Sequence, residues 1–127
     1  MSENNTTYWV VGASWGGQDH ADKHFVENSY WCLGWKEQDQ PHQFKQGKNI
    51  KINDRIAIKR MMGKGATTIK ILHIGIIKGV IVETNKVVCV VDWVATNLNR
   101  VVDSRGCFKS IHEFTEKDDW VEKVFCL

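Results

Sequence analysis

An α+β fold is predicted: a small curled, mostly antiparallel β-barrel flanked by helices. Three patterns predict it. Apolar and polar residues alternate at Ile50, Ile52, Ile56, Ile58, Ile69 and Ile71, a nearly unbroken apolar run fills 86–94, and helical apolar spacing is confined to stretches near 19–28 and the C-terminal end. Taken in order, Tyr8 to Ala13 is aromatic and β-branched and stops at Ser14-Trp15-Gly16-Gly17, as a first strand running into a loop does. Asp19 is placed to cap a helix through about Asn28, with Ala21, Phe25 and Val26 inward. Ser29 to Trp35 is a short aromatic stretch. Lys36 to Asn49, which holds the single proline, reads as loop and turn.

Ile50 to Ile58 has the two-residue period of a half-buried strand around Asn53-Asp54, and Met61 to Gly65 reads as a hairpin tip. Thr67 to Val82 begins in the same alternation and slips near His73 to Gly79. Two glycines there predict a bulge of the kind that closes a barrel. Lys86 to Val94 is a central strand, and a turn follows at Asp103 to Gly106. Two capping boxes, Ser110-x-x-Glu113 and Thr115-x-x-Asp118, then predict a short turn and a helix with Trp120, Val121, Val124 and Phe125 on one side.

Composition narrows the function. The 127 residues, 43% hydrophobic and 25% charged, suit one globular domain with a polar tail over 1–7, and exclude a disordered or collagen-like chain. Such a domain buries about two-thirds of its unfolded surface, enough for one core. No apolar run approaches the ~20 residues that cross a bilayer. The polar first residues show no secretory signal, so a cytoplasmic protein is expected. Net charge is +2, unevenly spread: residues 1–44 carry two basic and six acidic groups, 45–78 nine and one, 79–127 six and eight. Nine cations against one anion in 34 residues exceed what solubility needs, and nucleic acid is the commonest polyanionic partner.

Catalytic patterns are missing from the sequence. Cys32, Cys89, Cys107 and Cys126 are isolated, with no C-x-x-C pair and no histidine at zinc spacing, so neither a metal nor a cofactor is expected. Cys89 and Cys126 read as packing, and His20 with His24 as solvent-facing. Gly63-Lys64-Gly65-Ala66-Thr67-Thr68 lacks the phosphate-loop pattern and joins two strand-like segments, which makes it a basic hairpin. No enzyme is expected. Six tryptophans, several times the usual share, invite another use. Trp9, Trp93 and Trp120 fall in core patterns, whereas Trp15, Trp31 and Trp35 lie in or beside loops that can converge, and indole faces beside a basic surface suit stacking on an extruded base. A methyl group on that base fills apolar volume, contributing on the order of 1 kcal/mol.

Two stretches carry a resemblance. Tyr8-Trp-Val-Val-Gly-Ala-Ser-Trp15-Gly-Gly-Gln-Asp19 followed by Phe25-Val-Glu-Asn-Ser-Tyr-Trp31-Cys-Leu-Gly-Trp35 resembles the EVE-like domain at the N-terminus of McrB-type subunits of modification-dependent restriction systems. Asn53-Asp54-Arg55-Ile56-Ala57-Ile58-Lys59 and Val91-Asp92-Trp93 are similar to later family elements, with Asn53 where the family has glycine. EVE domains are PUA-like barrels related to the YTH readers of N6-methyladenine. The resemblance implies Trp31 as a cage wall, the Cys32 carbonyl as an acceptor for the base, Asp19 near its edge, and Ala13 and Ser14 lining the pocket. Relatives take a second cage tryptophan from a loop that here, over Gly79 to Lys86, has no aromatic, so Trp15 or Trp35 would serve instead. Gly12 stands where a basic residue often closes the first strand.

The resulting expectation is a non-catalytic reader that flips a modified, methylated base of double-stranded DNA into a pocket of Trp15, Trp31 and Trp35. Lys59, Arg60, Lys64, Arg100, Arg105 and Lys109 would hold the backbone, and a separate motor and nuclease would cut. The alternatives are an RNA-binding domain of the same barrel class, or a small-ligand or protein-interaction module.

Overall fold

The computed structural model describes residues 6–15, 19–33, 38–84 and 86–127, without the side chains of residues 14, 15, 19 and 20. Its elements are β1 (Thr7–Gly12), β2 (Ser14–Trp15), β3 (Asp19–His20), α1 (Asp22–Glu27), β4 (Tyr30–Leu33), α2 (Pro41–Gly47), β5 (Arg55–Met61), β6 (Thr68–Glu83), β7 (Lys86–Ala95), β8 (Arg100–Asp103), β9 (Ile111–Thr115) and α3 (Asp119–Phe125). The main sheet runs β4-β7-β6-β5-β1-β9, with β8 pairing β6, and it curls into a half-barrel. The α+β class and curled sheet expected from the sequence are therefore present. Every pairing in it is antiparallel except β1 with β5. That parallel pair needs a long crossover, which α1, β4 and α2 supply.

Each face of the sheet carries a packed cluster, although the outer face of β7 stays exposed at Val90 and Val94. On one, Trp9, Val11, Trp31, Leu33, Ile56, Ile58 and Val91 pack with Phe25 of α1 and Phe44 of α2. On the other, Val10, Ala57, Ile69, Ile71 and Ile74 pack with Trp120 and Val124 of α3 and with Cys107. β6 lies between these layers, so Ile71 to Gly75 are all buried and its alternation is lost. Its register breaks at Ile74/Gly75 and at Ile77/Gly79, in the stretch where the glycines predicted a bulge. A Cβ on Gly75 would sit 2.9 Å from both the Asp92 carbonyl oxygen and the Trp93 ring, so only glycine fits this crossing.

Several expectations are corrected. Asp19 does not cap α1: its backbone pairs with Trp15 in the β2–β3 ladder, and Ala21 is the residue before the helix. The expected loop over 36–49 contains α2, whose Pro41 suits a first helical turn and whose Gln43, Phe44 and Gly47 are buried. Ser110-x-x-Glu113 opens no helical turn, because residues 111–115 instead add a strand to β1. α3 is capped by Asp118, which accepts from the Trp120 amide, and not by Thr115. Cys126 is exposed just past α3 and does not pack in the core. Seven residues are too few for a stable isolated helix, so α3 depends on burying Trp120, Val121 and Val124, each contributing about 2 kcal/mol. Among the described residues, no helix is long and apolar enough to cross a membrane.

Candidate nucleic-acid interface

The C-terminal end of β1 is where the motif residues meet. Trp31 on β4 is 1% exposed, and its Nε1–H donates to the Gly12 carbonyl at 2.9 Å, which fixes the ring beneath the strand end. The next residue, Ala13, is buried and accepts at its carbonyl from the Ala21 amide. β2 and β3 fold back directly afterwards, with Ser14 opposite His20 and Trp15 opposite Asp19. Cys32 is half-buried on the alternate side of β4, and burial pushes its thiol up although Lys86 pulls the other way. The backbones of Ala13, Ser14, Trp15 and Asp19 thus gather at the strand end above the Trp31 ring, while Cys32 follows on β4 opposite Val88. Trp35, and the side chains of Ser14, Trp15 and Asp19, lie outside the described residues. A base reaches the Trp31 face only if the atoms covering it move aside.

Beside this strand end lies a polar relay the sequence did not disclose. Asp22, in the first turn of α1, accepts from Arg60 Nη2 at 2.6 Å and bonds His73 Nε2 at 2.8 Å. His73 Nδ1 in turn accepts from the Asn97 amide at 3.0 Å, so the ring carries its proton on Nε2 and donates it to Asp22. With both ring nitrogens engaged, His73 has no free lone pair with which to take a proton from a nucleophile. The relay ties α1 to β5, β6 and the loop after β7. Its only sequence signal was a histidine at the point where the β6 alternation slips.

The six cations expected to hold a backbone separate into two groups. Arg60 is spent on Asp22, Arg105 pairs with Asp118 at 2.8 Å, and Arg100 donates to the Val124 carbonyl at 2.7 Å, closing the C-terminal end of α3. Lys59 points inward and is 6% exposed. Lys64, at the β5–β6 hairpin tip, and Lys109 are exposed. Lys45, Lys48 and Lys78 are exposed as well, while Lys51 pairs with Asp54.

Lys59 lies level with Gly12 across the parallel β1–β5 pair. A Cβ on Gly12 would be 3.9 Å from its Nζ and 3.9 Å from the Ser110 Cα. Gly12 donates its amide to the Ser110 carbonyl, and the Ser110 amide donates to Gln43 Oε1, so β1, α2 and the 107–110 turn meet here. His112 accepts at Nε2 from the Lys109 amide. Burial, reinforced by the Lys59 and Lys109 charges, pushes its imidazole down to about 4. Burial also pushes the Cys107 thiol up to about 11, against the pull of Lys59 and Arg105. Among the described residues no group of three or more His, Cys, Asp or Glu side chains is placed to hold a metal.

A cavity of about 590 Å³ opens elsewhere, between α3 and the starts of β1 and β5, lined by Tyr8, Arg55, Ile74, Val94, Val121 and Phe125. It lies at the opposite end of β1 from Gly12, and no tryptophan lines it. No family model matches this chain, and no curated protein matches it either.

Proposed function

We propose that this chain is a non-catalytic, cytoplasmic reader of modified bases in double-stranded DNA, with an EVE-like domain's role of supplying specificity to a motor and nuclease. The supporting observation is the gathering of the resemblance-bearing segments at one strand end, with Trp31 bonded to Gly12 and the Trp15–Asp19 ladder beside it. The flipped base would enter beside Trp31 and Trp15, with Trp35 as the further wall. Exposed Lys64 and Lys109 would meet phosphates, giving affinity that falls with salt, while the aromatic pocket would set the preference for a modified base.

The test is binding of methylated and unmodified duplexes at one salt concentration by wild type, Trp15→Ala and Trp31→Phe, the last keeping most of the buried volume. A preference for the methylated duplex of at least tenfold, lost in either variant with the fold intact, is expected. Equal affinity of wild type for both duplexes would refute the reading, and stronger competition by single-stranded RNA than by DNA would move it to the RNA alternative.

The cavity under α3 favours a second reading, a small-ligand module. Its sign would be a methylated nucleoside or other small ligand whose binding is abolished by Val94→Trp, in a protein that binds no nucleic acid.

A further inference from the structure

Lys59 is the one buried cation of the described residues whose charge meets no anion. It is 6% exposed, and the acceptor within reach of its Nζ is the Met61 thioether at 3.7 Å, a weak partner for an ammonium. Cys107, the titratable group whose charge acts on it, does not balance it as a thiolate, because burial holds that thiol protonated to about pH 11. Burial lowers the Lys59 pKa, the direction expected of an ammonium that has lost water without gaining a counter-ion. Folded proteins rarely retain such a charge, because a buried ion is normally paired.

The surroundings are suited to an anion. Gly12 places no side chain over the Lys59 head: a Cβ there would lie 3.9 Å from Nζ, in ordinary contact. His112, its Nε2 taken by the Lys109 amide, keeps its proton on Nδ1 as a donor. Across β1, Lys59 lies level with Gly12 and His112 with Val10, two residues apart on one face of the strand, and the Lys109 amide bonds the His112 ring, so the three residues adjoin.

We propose that Lys59, with Lys109 and His112, forms a seat for a phosphate group beside Gly12 at the end of β1. The seat takes either free phosphate or a backbone phosphate of a bound nucleic acid. Only the second source rests on the function proposed above.

The experiment compares wild type with Lys59→Met, which keeps the length and apolar stem of the side chain. Thermal unfolding is followed in inorganic phosphate and in chloride at matched ionic strength, and affinity for an unmodified DNA duplex is measured at several salt concentrations. In chloride, Lys59→Met is expected to be at least as stable as wild type, because an uncompensated charge is gone; a clearly less stable variant would make Lys59 a structural residue and overturn the proposal. Phosphate is expected to raise the midpoint of wild type by several degrees and that of the variant by none. A duplex affinity about tenfold weaker in the variant, with the salt slope reduced by about one, assigns the seat to nucleic acid. An unchanged duplex affinity with a lost phosphate response assigns it to free phosphate, and the seat then stands without the DNA reading. No difference between the two proteins in either arm overturns it.

Discussion

A carboxylate that is 1% exposed persists at Asp54 because both of its oxygens are bonded. Oδ1 accepts from the Thr7 amide at 3.0 Å and from Lys51 Nζ at 3.2 Å, and Oδ2 from Trp9 Nε1 at 2.9 Å and the Lys51 amide at 2.9 Å. Asp54→Ala strands the Trp9 indole N–H and two backbone donors, and a loss of about 3 kcal/mol in urea unfolding is expected. Asp54→Asn, which keeps one acceptor, is expected to cost less. The residue was legible in the sequence only as part of a motif; its partners, 45 and 47 positions away, were not.

His112 makes a second prediction at this scale. Its folded pKa of about 4 lies below the ordinary 6.5, so below pH 6.5 the unfolded chain binds more protons than the folded one. Stability contributed by the neutral ring is complete above pH 6.5, falls as the pH drops toward 4, and levels off beneath it. The slope is at most about 1.4 kcal/mol per pH unit, and smaller here because the ring is only half-buried. His112→Gln, which retains an acceptor for the Lys109 amide, is expected to flatten stability between pH 6.5 and 4; an unchanged slope would place the acid sensitivity elsewhere.

Among the elements, β6 turns a local sequence pattern into overall shape. It pairs with β5 and β8 over its first half and with β7 over the rest, and its register shifts three times, once against β5 at Leu72 and twice against β7 beside Gly75 and Gly79. Gly75→Ala drives a methyl against Val91, Asp92 and Trp93 across the sheet. It is expected to destabilise by about 2–3 kcal/mol in a thermal or urea transition, whereas Gly79→Ala, which meets Val90 at an ordinary 3.5 Å, is expected to cost much less. The two shifts against β7 were legible because two glycines coincide with a break in alternation, whereas the one at Leu72 has no glycine to mark it. α2 was not legible, since a seven-residue helix with Pro41 in its first turn has the composition of a turn, and only burial of Phe44 reveals it. The Ser110 capping box misled for a related reason. The same four residues satisfy an edge strand, and the open side of β1 decided between them.

Over the whole molecule, the linear charge map and the folded one differ. The basic middle segment loses Lys51 to Asp54, Arg60 to Asp22 on α1, and Lys59 to the interior, so a run of cations along the chain is not one basic edge in space. The tryptophans also take roles that composition did not show. Trp9, Trp31, Trp93 and Trp120 each donate an indole N–H, respectively to Asp54, Gly12, Phe25 and Asp103, over separations of 45, 19, 68 and 17 residues. Trp9 and Trp120 are core as expected, Trp93 is partly buried, and Trp31 joins the core that the sequence left beside a loop. Fold class was readable because period-two alternation is local. The phosphate seat was not, because its members come from β5 and β9 with the turn between β8 and β9, and only the sheet brings them together.

The placement of β1 also shapes the order in which the chain folds. Its two neighbours in the sheet are β5, about fifty residues on, and β9, about a hundred residues on. During synthesis β1 therefore emerges well before either neighbour, so Trp9 and Val10 stay unpaired until β5 follows, and one edge of β1 stays open until β9 does. Pairings so distant along the chain make folding slow and leave the nascent chain exposed to aggregation. The β5–β6–β7 hairpins, whose partners adjoin in sequence, can assemble first and present the edge of β5 as a template on which β1 later docks.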